Sequence, residues 1–289
     1  MYNMLALIKR NIKVFLRDRA ALFFSFLSVI ILLGLYFLFL GKQYTSGSEF
    51  DSISEELRLF LGVGVIMGGV LVINTVSLSL GVMGTIVSDL ETRRLEGFMV
   101  TPVERYKVIL SYFISSVLVT FALSLMMWIL TVLYVGFASG YWYSLETILV
   151  SSLLLLFYTF ISSALMLFLV TLIKSQNAFG ALAGVLGTVI GFMSGIYMPL
   201  VVLGKGMVNI ASLMPFTHMT VLLKQVLLKE AYAAVPEPLA NALEEPYGTL
   251  NIGVFGIDIP MIYLMIGCFF IAMVLLLLAY RNMNKKMVK

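Results

Sequence analysis

Long apolar runs alternate with short charged segments along the whole chain. Six runs have no Asp, Glu, Lys, Arg or His in their interior, and each reaches the roughly 20 apolar residues needed to cross a bilayer core. The pattern therefore predicts an all-α membrane protein with six transmembrane helices. We number these spans one to six, and they cover residues 20–40, 59–87, 108–137, 145–173, 178–203 and 259–280.

The segment before span one is amphipathic. Leu5, Ile8 and Ile12 recur at helical spacing, while lysines and arginines take the opposite side. This pattern predicts a helix over residues 1–19 that lies at the membrane surface with its apolar side towards the lipid.

Between spans five and six the pattern changes three times. Residues 201–214 are apolar but too short to cross a bilayer, which predicts a re-entrant or interfacial piece. Residues 220–234 predict an amphipathic helix with Lys224 on its polar side. Residues 236–258 are rich in Pro, Glu and Gly and predict a loop. Residues 204–258 as a whole are thus predicted to form an external hairpin and loop.

Composition agrees with this class, since 61% of residues are hydrophobic and 12% are charged, against the roughly 25% charged residues of soluble domains. Six spans place both termini on one side, together with fourteen of the 19 Lys and Arg. The positive-inside rule makes that side cytoplasmic. The tail, residues 281–289, is then cytoplasmic, and the net charge of +4 needs no nucleic acid to explain it. We expect a multi-pass protein of the cell membrane.

The chain offers little catalytic or metal-binding chemistry. It has one cysteine, Cys268, and one histidine, His218, and it lacks the glycine-rich phosphate loop of ATPases. We therefore expect no catalytic residue, no metal site and no cofactor in this chain. Ion-driven carriers usually hold ionisable groups within the bilayer, and these spans hold none. If the protein moves a compound uphill, the energy comes from another protein.

A charged island, residues 88–107, separates spans two and three and holds eight ionisable side chains. The cost of burying charges in lipid places it in the cytoplasm. Helix-forming residues predict a short helix here, with Asp89 in its first turn and Gly97 near its end. Pro102 then stops the helix. Such a helix suits a contact with a soluble partner; a solvated connecting loop is the alternative.

Several motifs occur in an order that resembles the ABC-2 type permease family. Glu96-Gly97 is followed by Thr101-Pro102-Val103, Ser194 to Pro199 come late in span five, and Met214 to His218 follow the apolar piece. The resemblance covers nearly the whole chain. It implies a cytoplasmic coupling helix in the island and a re-entrant external hairpin after span five.

The resemblance also implies partners. Two permeases, identical or homologous, would pair in the lipid membrane and dock on two separate ABC ATPase subunits, which would bind the ATP and Mg. By analogy with the family, the ATPase-coupling contact is assigned to Asp89, Glu91, Arg93, Arg94, Glu96 and Gly97, with Arg17 and Arg19 as flanking support.

Polar and adaptable side chains in spans two and five are candidates for a translocation path, because polar groups avoid lipid and Met and aromatic side chains fit varied shapes. Gly64 and Gly68 in span two, and Gly180 and Gly184 in span five, allow close helix packing within one subunit or between two. The candidate path residues are Asn74, Thr75, Ser77, Ser79, Thr188, Phe192, Met193, Ser194, Tyr197 and Met198.

Three functions remain open from the sequence. The first is the permease of an ATP-driven exporter for a hydrophobic or amphiphilic compound, such as a drug, an antimicrobial peptide or a lipid-like molecule. The second is an exporter of lipid-linked polysaccharide. The third is a membrane scaffold or sensor that transports nothing and recruits a partner through the island.

Overall fold

The computed structural model describes residues 2–20, 22–23, 27, 50, 53–99, 103–197 and 200–286. Nearly all of predicted span one lies outside these residues. So do Thr101 and Pro102 of the island and Met198, a predicted path residue.

The regular elements of the described residues are helices, apart from one isolated β-bridge. A short 3₁₀ turn, Leu200–Leu203, precedes α7. The α-helices are α1 (Tyr2–Arg17), α2 (Glu55–Glu91), α3 (Arg94–Met99), α4 (Arg105–Ser139), α5 (Leu145–Thr171), α6 (Gln176–Met193), α7 (Gly204–Ala211), α8 (Pro215–Ala234), α9 (Glu237–Tyr247) and α10 (Met261–Lys286).

Five of these helices, α2, α4, α5, α6 and α10, are long and apolar enough to cross a membrane. They coincide with predicted spans two to six, and the prediction of an all-α membrane protein is confirmed. Serine caps fix where three of them begin: the side chains of Ser54, Ser144 and Ser175 each accept a hydrogen bond from a backbone N–H in the first turn. Gly140, with φ 73°, ends α4.

Span five is shorter than the sequence predicts. We expected it to run to residue 203, but α6 ends at Met193. Ser194 caps the helix and Gly195 follows with a φ of 68°, a left-handed conformation that terminates helices. The apolar residues beyond it continue the hydrophobic pattern without continuing the helix.

The segment after span five folds into a bent helix pair followed by a third helix. α7 and α8 meet at 92°, the geometry of a broken span or a re-entrant loop. The loop predicted for residues 236–258 is wrong in its first half, which forms α9. Leu239, Leu243 and Tyr247 recur every four residues there and are buried.

α2 is the centre of the fold. It packs on α4, α5, α6 and α8, and 89% of its most apolar 18-residue window is buried. The corresponding windows of α6 and α10 are only 17% buried. Span two is therefore enclosed by its own chain, whereas spans five and six present most of their surface outward.

Candidate functional site

The island differs from its prediction at its first charged residue, Asp89. Asp89 does not begin a new helix, because α2 continues through it and ends at Glu91. The chain breaks at Arg93, whose φ of 56° is left-handed, and α3 then begins. Asp89 is 1% exposed, so its carboxylate points into the fold.

A clamp around Asp89 joins three helices. Arg10 of α1 donates from both terminal nitrogens, with Nη2 2.7 Å from Asp89 Oδ1 and Nη1 bonded to Oδ2. Tyr112 of α4 donates its hydroxyl to Asp89 Oδ2 at 2.5 Å. The hydrogen bond from Arg10 to this carboxylate raises the pKa of the Arg10 guanidinium, so the arginine stays charged. The clamp fixes the surface helix α1 to the ends of spans two and three.

The same arginine also contacts α3. The Arg10 guanidinium lies 5.7 Å from the ring centroid of Phe98, within cation–π range. Leu95 of α3 is buried, and Arg94 Nη1 lies 3.8 Å from Asp89 Oδ1. α3 is therefore held by its apolar side and by Arg10.

The segment from the end of α2 through α3 has a charged and accessible outer side. Glu91, Arg93, Arg94, Glu96 and Gly97 are all exposed. The pair Arg93–Glu96, 4.0 Å apart, is solvated and contributes little to stability. Five of the eight predicted contact residues, those within residues 91–97, thus share one small exposed surface.

Arg17 and Arg19, predicted as flanking support, are exposed at the end of α1 and just beyond it. Arg10 was missed, because from the sequence it is one of several basic residues on the polar side of α1. One signal was available: Asp89 stands at the end of a long apolar run, and an arginine suits bidentate pairing with a carboxylate.

A cavity of about 590 Å³ opens between α1, α2 and α6. It lies at the end of the fold where α2 ends and α6 begins, beside the clamp. Ser77, Ser88 and Gln176 supply polar wall groups, while Leu80 and Phe179 supply apolar ones. The mixed wall can hold a molecule with both apolar and polar parts.

Three predicted path residues of span two lie in the packed interior. Asn74 donates to Ser124 Oγ at 3.3 Å, and Thr75 Oγ1 lies 3.0 Å from Ser162 Oγ. Ser79 Oγ donates to the carbonyl of Thr75 at 2.6 Å. These side chains tie α2 to α4 and α5, and of the four predicted span-two residues Ser77 alone lines the cavity above.

The predicted path residues of span five divide between inside and outside. Thr188, Phe192 and Tyr197 are exposed, and the Phe192 and Tyr197 rings meet edge to face with centroids 5.3 Å apart. Met193 and Ser194 are buried at the helix end, where the Met193 carbonyl accepts from Thr217 of α8 at 2.8 Å.

The two glycine stripes meet different surroundings. A Cβ added at Gly68 would lie 2.5 Å from Lys224 Cγ, and one at Gly64 would lie 2.8 Å from Leu228 Cδ2, so α8 fills the span-two stripe. A Cβ at Gly180 or Gly184 would meet nothing within 4 Å.

Lys224 itself corrects a prediction. It does not lie on a polar surface of the 220–234 helix but is 6% exposed. Its aliphatic stem packs on Gly68, and its Nζ donates to the carbonyl of Tyr247 at 2.9 Å. The ammonium therefore meets the C-terminal end of α9, where the helix dipole favours positive charge.

Comparison with known proteins gives one family. The family model described as ABC-2 type transporter matches residues 2–228, which include α1, α2, the island and most of α8. A search of curated proteins gives no significant match. The matched residues contain the clamp, the exposed charges of α3 and the cavity between α2 and α6. The chain belongs to the ABC-2 type transporter family and is the multi-pass membrane permease of an ABC transporter.

Proposed function

We propose that the chain is the permease subunit of an exporter for a hydrophobic or amphiphilic compound, such as a drug, an antimicrobial peptide or a lipid-like molecule. Two ABC ATPase subunits dock on its cytoplasmic side and bind the ATP and Mg²⁺. A second permease, identical or homologous, completes the membrane part. Both termini lie on the cytoplasmic side of the cell membrane, as the distribution of Lys and Arg indicates.

One observation carries the proposal: a short charged helix is exposed on one side and fixed to two spans on the other. Glu91, Arg93, Arg94, Glu96 and Gly97 supply the exposed contact. Opposite charges across such a contact speed association and fix its register.

Asp89 takes a different part in this proposal from the one its sequence position suggested. Because it is buried and paired, it acts as a positioning residue that passes a displacement of α3 to α2 and α4. A push on α3 would reach Arg10 and hence α1 as well. Arg17 and Arg19 flank the contact with exposed positive charge.

Pairing of two permeases is proposed through α6. Its exposed side combines Gly180 and Gly184, which let backbones approach closely, with exposed Val185 and Phe192. Thr188 lies on the same helix and is exposed.

The path is proposed to begin in the cavity between α2 and α6 and to follow the exposed side of α6. Ser77 lines its first part, and Thr188, Phe192 and Tyr197 border its later part. The mixture of hydroxyl and aromatic groups suits an amphiphile. Because the span interiors hold no ionisable residue, ATP hydrolysis by the partner drives the transport.

The test is charge reversal at Glu91, the last residue of α2, and at Glu96 of α3. The double variant Glu91→Lys/Glu96→Lys is expressed with an ABC ATPase subunit that co-purifies with the parent permease, and co-purified ATPase is measured together with ATP hydrolysis stimulated by candidate amphiphiles. We expect co-purification to fall about tenfold, as for the loss of about 1.4 kcal/mol at a charged contact.

Glu237→Lys is the matched control, because Glu237 is also exposed but begins α9 at the other end of the fold. It should leave assembly unchanged. Normal assembly and stimulation in the double variant, or equal losses in both, would contradict the proposed contact.

A further inference from the structure

A small hairpin stands immediately before span six. Val254 and Ile257 form an isolated antiparallel bridge, and their backbone N–H and C=O groups bond in both directions at 3.0 Å. Phe255 and Gly256 make the two-residue turn between them, with φ of 50° and 79°. Positive φ at both central residues is the geometry of a type I′ hairpin turn.

The side chain at the tip does not suit this backbone. Asn and Gly adopt positive φ at low cost, whereas a bulky aromatic residue rarely does. Phe255 nevertheless occupies the first turn position, and its side chain gains little from its own chain, since it is 62% exposed. The strain at the tip is therefore not offset by burial inside the fold.

The exposed apolar surface extends beyond Phe255. Ile257 is 65% exposed, and Leu250, at the beginning of the same loop, is 45% exposed. Asp258, the acidic residue that follows the hairpin in sequence, has its Oδ1 3.2 Å from where a Cβ on Gly253 would lie.

The chain limits how far the tip can stand from the bilayer. Ile257 is four residues from Met261, where α10 begins, so the two lie at most about 14 Å apart at full extension. α10 presents apolar side chains outward from its first turn, since Ile262 and Tyr263 are each 64% exposed. The hairpin thus stands within about 14 Å of the start of an outward-facing apolar helix surface.

We propose that this hairpin inserts Phe255 and Ile257 into the headgroup–acyl boundary of the leaflet at the start of span six. Its partner is the lipid surface itself. Insertion covers the aromatic ring, which suits membrane–water interfaces, and anchors the loop that leads into span six. Since the hairpin holds no basic residue, zwitterionic lipids suffice.

The experiment places a fluorophore at the tip. Phe255→Cys is made in a Cys268→Ala background, labelled with a nitrobenzoxadiazole dye, and reconstituted in phosphatidylcholine vesicles. Quenching by nitroxide-bearing lipid and by aqueous iodide is compared. Asn241→Cys is the matched control, because Asn241 is exposed on α9 and polar in its surroundings.

We expect the label at 255 to be quenched about threefold more by the nitroxide lipid than the label at 241, and less by iodide, because interfacial groups sit about 5–10 Å into the boundary. Equal iodide quenching at both positions would overturn the proposal. Protection of the 255 label from both quenchers would also overturn it, because protein, for example a second copy, would then cover the tip.

A second variant separates anchoring from folding. Asn suits this turn, so Phe255→Asn should leave the thermal unfolding temperature in detergent unchanged or raise it slightly. A label at Ile257→Cys should lose its lipid quenching when combined with Phe255→Asn; retained quenching would contradict the anchor. Neither the ATPase nor a transported compound enters these measurements, so their outcome is independent of the proposed function.

Discussion

Spans two and five carry glycines at the same spacing but use them differently. α8 packs so closely on α2 that a Cβ at Gly68 would collide with Lys224, whereas a Cβ at Gly184 of α6 would meet open space. Burial follows the same division: 89% of the most apolar 18-residue window of α2 is buried, against 17% of the corresponding window of α6. Glycine spacing in a sequence therefore indicates close approach without saying which partner approaches.

The contrast extends to the ends of the two spans. Asp89, near one end of α2, is paired with Arg10, and Gly68, in the other half of α2, packs on the stem of Lys224. Span five ends early, at Met193, and its outward side is free of other described helices along much of its length. Span two is a fixed element within the subunit, and span five is the element through which we propose that a second permease pairs.

The largest expected effect breaks the span-two side of this comparison. Gly68→Leu would force apart α2 and the backbone of α8, since Lys224 Cα lies 3.1 Å from the position of an added Cβ. Overpacking of this kind costs about 3 kcal/mol at its upper end. The midpoint temperature of thermal unfolding in detergent should lie well below that of the parent protein. Gly267→Leu in α10 is the matched control and should unfold at the parent temperature, because a Cβ at Gly267 would meet nothing within 4 Å.

The clamp around Asp89 comes next. Asp89→Ala leaves the Arg10 guanidinium and the Tyr112 hydroxyl without their acceptor. We expect the free energy of unfolding to fall by about 2–3 kcal/mol. This is less than for a fully buried pair, because the Arg10 side chain is 27% exposed. Denaturant or thermal unfolding measures it. Glu91→Ala, two residues on and exposed, should change stability by less than about 0.5 kcal/mol. Similar losses in both variants would argue against the clamp.

The proposed role of span five is tested by measuring how strongly two permeases associate. Gly184→Leu should weaken association of two permeases about tenfold, or about 1.4 kcal/mol, because the added side chain holds the backbones apart. Cross-linking through Val185→Cys, in the Cys268→Ala background, reports the pairing. Unchanged cross-linking would mean that a different surface joins the subunits.

The smallest effect concerns the contact between Lys224 and Gly68 of span two. Lys224→Met keeps the aliphatic stem on Gly68 and loses only the bond to the Tyr247 carbonyl. Removing the buried charge offsets that loss, so stability should change by no more than about 1 kcal/mol. Lys224→Ala, which also removes the packing, should cost about 2 kcal/mol or more. Equal effects would show that the charge, and not the stem, holds α8.

Apolar length made the fold predictable. The helices α2, α4, α5, α6 and α10 coincide with spans predicted from hydrophobic runs alone, because a bilayer requires about 20 apolar residues whatever their neighbours are. The charged helix between spans two and three was also expected near its observed place, since charge cannot stay in lipid.

Features set by tertiary packing were not predictable. Asp89 looks like a helix start in sequence, and only the folded position of Arg10 makes it the buried end of α2. Lys224 looks like a surface residue until Gly68 provides room for its stem. α9 was not predicted because Pro238 and Pro246 are typical of loops. Pro238 nevertheless lies in the first turn of α9, where a backbone N–H has no intrahelical partner to lose.

The central claim is that α3 meets the ATPase, and site-specific photo-cross-linking tests it most directly. A photoreactive residue is placed at Glu96, and in a separate variant at Asn241 on α9, and each permease is irradiated in complex with its ATPase. The account predicts a cross-link to the ATPase from position 96 and none from position 241. A cross-link from 241 with none from 96 would contradict both the contact and the orientation of the chain in the membrane.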